Sequence, residues 1–190
     1  MGALDEGERV VAEDAAAWRA WLEANHTRKA GAWLVRPRPG VELDVVGYED
    51  AIRHALCFGW VDGPTRSFDD VIGGLWFSPR RPYSGWAATN KARLEALEAE
   101  GLMTDAGRRV VEIARANGSW TVLDNAEAGV EPDDLAAALD ASPDARRHWD
   151  AFPRSARKLG ISHVDLARRD ETRAKRIAKL VADAAEGRRP

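Results

Sequence analysis

The chain has 190 residues, of which 28 are Lys or Arg and 31 are Asp or Glu, so its formal net charge is -3. A charge balance this close to neutral gives no general argument for nucleic-acid or membrane binding. The single cysteine excludes an intrachain disulfide, and the 45% hydrophobic fraction excludes a wholly disordered chain. Eight Trp stand against two Tyr and four Phe, so the aromatic part of any core is mostly tryptophan.

The first residues, MGALDEGERVVAEDAAAW, are acidic where a secretory signal has a basic start followed by an apolar stretch. No apolar run approaches the roughly 20 residues that a membrane-spanning helix needs. We therefore expect a cytoplasmic protein without membrane insertion. The length fits one domain, or one domain with a helical extension, because domains commonly contain about 100–200 residues.

Helical and extended segments alternate in the first part of the chain. Asp14 is a candidate N-cap for a helix that runs to about Asn25, and an apolar stripe predicts a second helix over Tyr48–Cys57. Two dipeptides, Gly-Pro at 63–64 and Gly-Gly at 73–74, are typical of turns. Short strands are predicted at 32–36, 41–46, 66–68 and 75–78.

From residue 84 onward nearly every segment has helical periodicity. Thr104 is a plausible N-cap, and further helices are predicted to open at Pro132, at Ser142 with Pro143, and near Asp170 or Glu171. The stretch 119–129 is predicted to be a loop. One face of the first helix in this part is predicted to contain Trp86, Asn90, Leu94 and Leu97.

The order of these elements predicts an α+β fold. A regular alternation of strands and helices, which a doubly wound parallel sheet requires, is missing. We expect residues 1–83 to form a mixed α/β part with a small sheet of short strands. Residues 84–190 are expected to form a helical part, and the two parts are expected to pack together as one globular unit.

Four segments resemble a known family. They are WRAWLEANH, YEDAIRHALCFGWVDG, FSPRRPYSGWAATNKARLEALEAEGLMTDAG and ETRAKRIAKLV. On these motifs the chain resembles the YdeI/OmpD-associated, or bacteriocin-protection, family over most of its length. The resemblance implies a link to bacteriocin or antimicrobial-peptide resistance, a form of stress resistance, and it supplies no catalytic residues to transfer. A departure lies at Gly160 and His163, where relatives are more continuously helical.

Polar and aromatic residues around the last predicted strand form a candidate anion site. Guanidinium groups offer planar donors suited to carboxylates and phosphates, and two prolines restrain the loop of Arg80 and Arg81. The candidate ligand-binding residues are Asp62, Arg66, Trp76, Arg80, Arg81, Ser84, Trp86 and Asn90. A purely structural alternative is that one of the two loop arginines pairs with a nearby aspartate, which is Asp62, Asp69 or Asp70.

Two functional hypotheses follow from this candidate site. In the first, the chain is an interaction protein that binds a small anionic ligand or an acidic protein partner. In the second, it is an enzyme in which Arg80 and Arg81 hold a small anionic substrate, Asp62 or His54 acts as the base, and Trp86 shields the site. No paired nucleophile and base is evident, so the first hypothesis is favoured.

His54 and Cys57 lie three residues apart on one predicted helix and can share a face. A Cys–His pair can support nucleophilic catalysis or metal binding. Cys57 is at the C-terminal end of its helix, however, and a low thiol pKa is favoured at the N-terminal end. A packing role is therefore favoured. The scattered histidines and the absence of a second cysteine predict no metal site, and no cofactor motif is present.

The C-terminal stretch RRDETRAKRIAKLVADAAEGRR is rich in basic residues. Four acidic residues interrupt it. A platform for stacking bases needs aromatic side chains among the basic ones, and none of the eight tryptophans lies in this stretch. Mixed charges of this kind are typical of the solvated face of a helix. We expect no nucleic-acid partner.

Overall fold

The structure is a computed structural model that describes residue 4 and residues 7–190. Over this part of the chain it contains one four-stranded mixed sheet and nine helices, which confirms the predicted α+β fold. The chain divides into two compact units. The first unit contains the described residues up to Ser84 together with Thr89–Asn117, and the second contains Gly85–Ala88 together with Gly118–Pro190. Residues 89–117 therefore belong to the same unit as the sheet.

The first unit is built around the sheet. Its elements are β1 (Glu8–Val10), α1 (Ala15–Asn25), β2 (Ala32–Pro37), α2 (Tyr48–Cys57), β3 (Trp60–Ser67), β4 (Ile72–Pro79), α3 (Ala88–Ala99, from its second residue) and α4 (Asp105–Ala116). The strand order is β1-β2-β4-β3. β1 is parallel to β2, and the other two pairs are antiparallel. In the central pair Trp33 lies opposite Trp76, so the aromatic side chains meet at the middle of the sheet.

Helix α1 is fixed at its start and along its buried face. Asp14 caps it by accepting a hydrogen bond of 2.8 Å from the Ala17 amide, as predicted. Trp18 is fully buried, and its ring centroid lies 5.2 Å from that of Phe77 in β4. The indole of Trp18 donates a hydrogen bond of 3.0 Å to the carbonyl of Ala51 in α2. These contacts hold α1 and α2 on one face of the sheet.

The β3–β4 hairpin corrects two predicted turns. Gly63 and Pro64 lie inside β3, where the pairing register shifts between Asp62 and Thr65. Such a shift is a β-bulge, which bends a strand without ending it. The glycine pair at 73–74 lies inside β4. A Cβ atom at Gly73 would lie 2.6 Å from the Arg66 carbonyl oxygen, so glycine permits the close approach of these strands.

One strand prediction was wrong, and one strand was not predicted. Residues 41–46 form no strand in the structure, whereas the three residues of β1 pair with β2 at the sheet edge. A three-residue strand is too short for an alternating pattern to be visible in sequence. β1 is extended because it pairs with β2, and no local signal in its sequence indicates a strand.

Of the two helices that follow the sheet, α3 begins later than predicted and α4 begins where it was predicted. α3 begins at Ala88, so Trp86 precedes it and does not share its face with Leu94 and Leu97. Those two leucines are buried, as expected. Thr104 caps α4 as predicted, because its hydroxyl accepts a hydrogen bond from the Gly107 amide.

The second unit is helical. Its helices are α5 (Asp124–Ala128), α6 (Asp133–Asp140), α7 (Pro143–Ala151), α8 (Arg154–Asp165) and α9 (Asp170–Ala185). Helices α6, α7 and α9 were predicted, whereas α5 lies in a stretch predicted to be a loop. The hydrophobic core of this second unit includes Leu135, Leu139, Trp149, Ile161 and Leu180.

Helix α8 continues through Gly160 and His163, although these residues interrupt the helical pattern of the sequence. The reason is packing. A Cβ atom on Gly160 would lie 2.8 Å from the ring of Trp149 and 2.9 Å from Leu180. The helix therefore accepts a glycine of low helix propensity because α8 packs closely against the fully buried indole.

The polar side of Trp149 is also satisfied. Its indole nitrogen donates a hydrogen bond of 2.7 Å to one carboxylate oxygen of Glu131, and Arg146 donates to the other oxygen at 2.9 Å. Burial alone would raise the pKa of Glu131, but the hydrogen bonds from Arg146 and Trp149 outweigh it and hold the pKa below its usual value. A charged carboxylate thus anchors the largest side chain of this core.

Candidate functional site

Arg80 is the most deeply buried of the arginines predicted to bind a ligand. It follows β4, and its backbone amide donates a hydrogen bond of 2.9 Å to the carbonyl of Gly59, which fixes its position beside the start of β3. Only 8% of its surface is exposed. Burial lowers the pKa of the guanidinium to about 10, although the negative charge of Asp62 opposes that shift. The side chain therefore remains a cation at neutral pH in a poorly solvated position.

Arg80 lines a concave cleft of about 400 Å³ that is formed entirely by residues of the first unit. We name it the Arg80 cleft. Phe58, Trp60 and Val110 supply apolar surface to it. Arg109 of α4 supplies a second cation. A volume of this size is in the range of small-molecule sites, which commonly combine apolar walls with a few polar groups.

The ionic surroundings of the Arg80 cleft favour an anion. Arg109 is exposed, and no carboxylate in the described part of the chain forms an ion pair with it. Asp105 also lines the cleft, but its carboxylate lies 3.4 Å from the guanidinium of Arg108, which offsets its charge. His26 completes the polar rim, and its ring lies 5.5 Å from that of Phe58.

The structure does not bring the other predicted residues into this cleft. Trp76 alternates along β4 with Phe77, so it faces the side of the sheet opposite α1. There its ring centroid lies 5.1 Å from that of Trp33. Arg66 is exposed and donates a hydrogen bond of 3.3 Å to the carbonyl of Leu4.

Four more predicted residues occupy separate positions. Arg81 is exposed, and its carbonyl accepts a hydrogen bond of 3.0 Å from the amide of Ser84, which is half-buried. Asn90 accepts a hydrogen bond of 2.9 Å from Arg93. Trp86 belongs to the second unit, is 1% exposed, and has its ring centroid 5.3 Å from that of Trp120.

His54 and Cys57 lie on α2 and do not line the Arg80 cleft. Burial lowers the pKa of His54, and the positive charge of Arg19 lowers it further. The imidazole Nδ1 lies 3.4 Å from a guanidinium nitrogen of Arg19. Cys57 is fully buried, and burial raises the pKa of its thiol. These are the properties of a packed thiol and a neutral histidine. Asp62, the other group considered as a base, also lies outside the lining of the Arg80 cleft.

Sequence reasoning missed His26, Phe58 and Arg109 as neighbours of Arg80. An exposed arginine on a helix is ordinary in sequence, and His26 lies 54 positions before Arg80. Only the packing of α4 beside the turn at Gly59 brings these side chains together: a Cβ atom on Gly59 would lie 2.6 Å from Val110. No local pattern in the sequence marks such a contact.

The described residues offer no metal centre and no membrane span. No group of three or more His, Cys, Asp or Glu side chains among them is arranged to hold a metal ion. In the same part of the chain, every helix is too short or too polar to cross a lipid bilayer.

Comparisons with known proteins assign the two ends of the chain to different family models. Residues 10–110 match the model of a domain of unknown function (DUF8412). Residues 129–187 match the model described as bacteriocin-protection, YdeI or OmpD-associated. The motifs on which the sequence resemblance rested therefore fall mostly under the first model, and the second covers the helical C-terminal region. Searches of curated proteins and of solved structures found no match.

Proposed function

We propose that this chain, which belongs to the DUF8412 family through residues 10–110 and matches the YdeI/OmpD-associated model over residues 129–187, binds a small anionic ligand at the Arg80 cleft. The observation that supports the proposal most directly is the burial of the Arg80 guanidinium in the wall of a cleft that also contains Arg109. Two cations at one cleft produce a positive potential there, which favours the binding of a negatively charged ligand.

The composition of the Arg80 cleft indicates the kind of anion. The apolar side chains of Phe58 and Val110 would contact an apolar or aromatic part of the ligand, while Arg80 and Arg109 would contact its charged group. Planar guanidinium groups pair well with planar carboxylates. We therefore propose a carboxylate that bears a ring or a short aliphatic chain. A concave site of this size fits a small molecule better than the surface of an acidic protein partner.

We also propose that this binding takes place in the cytoplasm and serves protection against bacteriocins or other antimicrobial peptides. The support for that role is the description of the family matched by residues 129–187. An enzymatic function finds no comparable support, because neither group considered as a base, Asp62 or His54, lines the Arg80 cleft.

Ligand-observed NMR with benzoate and indole-3-acetate tests the proposal. We expect both probes to bind the wild-type chain, and Arg109→Ala to weaken binding about tenfold or more, because it removes a charged donor. Arg81→Ala is the matched control, since Arg81 is exposed and outside the cleft lining.

Equal binding by wild type and Arg109→Ala, or no binding of either probe to the wild type, would overturn the proposal. Loss of binding in Arg81→Ala with retention in Arg109→Ala would place the anion on the loop instead of in the cleft. Native mass spectrometry of the purified chain adds a second readout, because a co-purified organic anion should dissociate more readily from Arg109→Ala.

A further inference from the structure

A second cleft of the first unit, of about 380 Å³, lies at the end of the sheet where β2 leaves it. Its lining includes Arg36 and Arg38 from one side and Thr65, Arg66 and Ser67 of β3 from the other. Gly73 of the central strand lies between them, directly opposite Arg36 in one ladder and Ser67 in the other. We call this the Arg36 cleft, and it shares no lining residue with the Arg80 cleft.

Arg36 and Arg38 have no ion-pair partner in the described part of the chain. One guanidinium nitrogen of Arg36, Nη1, is buried without a hydrogen-bond partner among these residues. The guanidinium carbon Cζ of Arg36 lies 5.6 Å from the centre of the Tyr48 ring, and this cation–π contact positions the rest of the group. A buried donor without an acceptor is unfavourable, so an acceptor from a ligand would stabilise it.

The backbone holds the second arginine in place. Arg38 lies between Pro37 and Pro39, which restrict its backbone, and its amide donates a hydrogen bond of 3.0 Å to the carbonyl of Val71. Its guanidinium donates a hydrogen bond of 2.5 Å to the hydroxyl oxygen of Ser67. That hydroxyl keeps its own hydrogen for another acceptor, because an acceptor role does not use it.

Asp69, whose pKa the charge of Arg38 helps to lower, forms its hydrogen bonds with another part of the chain. Asp69 accepts hydrogen bonds of 2.8 Å from the amides of Val71 and Ile72, and these bonds lower its pKa. The charges of Arg9 and Arg38 lower it further, but Asp69 forms no ion pair with either within the described residues. The carboxylate therefore belongs to the turn between β3 and β4.

We propose that the Arg36 cleft binds the phosphate group of a small, soluble phosphate ester. Two guanidinium groups and the hydroxyls of Thr65 and Ser67 offer donors from several directions, which suits a tetrahedral dianion better than a planar carboxylate. Gly73 also lines the cleft, and glycine is needed there because a Cβ atom would lie 2.6 Å from the Arg66 carbonyl oxygen. The cleft is larger than a phosphate group, so an organic part of the ester has room.

Isothermal titration with inorganic phosphate and with glycerol 3-phosphate tests this site. We expect both to bind, glycerol 3-phosphate more tightly, and acetate to bind at least tenfold more weakly. Arg36→Ala and Arg38→Ala should each weaken phosphate binding about tenfold or more, because each removes a charged donor. Arg109→Ala, in the other cleft, should leave phosphate binding unchanged.

The variants also separate this proposal from the proposed function. Loss of carboxylate binding only in Arg109→Ala, together with loss of phosphate binding only in Arg36→Ala and Arg38→Ala, would support two separate sites. No phosphate binding by the wild type, or full phosphate binding by an Arg38→Ala variant that retains the wild-type circular dichroism spectrum, would overturn the Arg36 site alone.

A final arm distinguishes a soluble ester from a lipid headgroup, which presents the same phosphate chemistry. Phosphatidylcholine vesicles that contain phosphatidylglycerol are sedimented with the wild-type chain. We expect the chain to stay in the supernatant. Co-sedimentation without binding of glycerol 3-phosphate would overturn the proposal of a soluble ester.

Discussion

The two units of this chain use arginine in opposite ways. In the helical unit, Arg146 contacts the carboxylates of Glu131, Asp140 and Asp150 at 2.9, 2.9 and 3.2 Å. The hydrogen bonds that Arg146 donates to Glu131, and to a lesser extent those to Asp150, raise the pKa of Arg146 well above its usual range. The charge of Arg146 is therefore neutralised by carboxylates of its own unit.

In the sheet unit, three arginines at clefts have no such acids. Arg36, Arg38 and Arg109 form no ion pair with any described residue. Other arginines of the same unit are paired, such as Arg93 with Glu49 at 2.7 Å. The comparison shows that the arginine content of a unit says little about binding, whereas the absence of acids around particular arginines identifies the candidate sites.

The largest predicted effect concerns the cores, where the two units should not differ. Leu34 of β2 and Leu139 of α6 are both fully buried. We expect Leu34→Ala and Leu139→Ala each to lower the free energy of unfolding by about 2–5 kcal/mol, because each leaves a cavity. Urea unfolding followed by circular dichroism measures both. A loss below about 1 kcal/mol in one variant would show that its unit depends on ion pairs more than on its core.

A smaller effect is expected where the helical unit relies on charge. Glu131→Ala removes an acceptor from the buried indole of Trp149 and a carboxylate from Arg146. We expect a loss of about 2–3 kcal/mol, since a buried donor loses its partner. By contrast, Arg109→Ala in the sheet unit should change stability by no more than about 0.5 kcal/mol. A similar loss in both variants would remove the contrast between the units.

The same carboxylate predicts a pH dependence. The pKa of Glu131 in the folded chain lies below its usual value of 4.5. Its contribution to stability is therefore complete above that value and is lost as the pH falls through the folded pKa. Glu131→Gln should flatten the melting temperature between about pH 5 and pH 3 relative to wild type. An unchanged slope in Glu131→Gln would assign the acid sensitivity to other carboxylates.

The smallest expected signal comes from Cys57. The thiol is fully buried and its pKa is raised by burial, so the native chain should react with Ellman's reagent only as it unfolds. One equivalent of thiol should become reactive in denaturant, because the chain contains one cysteine. Rapid stoichiometric reaction in the native state would reopen a chemical role for the pair of His54 and Cys57.

The features that could be predicted from the sequence are those determined by neighbouring residues, such as helix caps and apolar stripes. The caps at Asp14 and Thr104 and the stripe over Tyr48–Cys57 are local signals, and each matches an observed helix. The clefts depend on contacts between distant segments, such as that of Gly59 with Val110. Trp86 failed as a helix-face residue because its position depends on Trp120, which no periodic pattern links to it. Hence Arg80 could be chosen from the sequence, but its neighbours could not.

The bulge in β3 has a consequence for self-association. β3 is the last strand in the sheet order, and most of it is exposed. An exposed edge of this kind can recruit a strand from another molecule and begin to aggregate. Pro64 has no amide hydrogen to offer such a strand, and the register shift between Asp62 and Thr65 breaks the regular spacing that an incoming strand would need. The dipeptide that looks like a turn in the sequence thus protects the open edge of the sheet while leaving the hairpin intact.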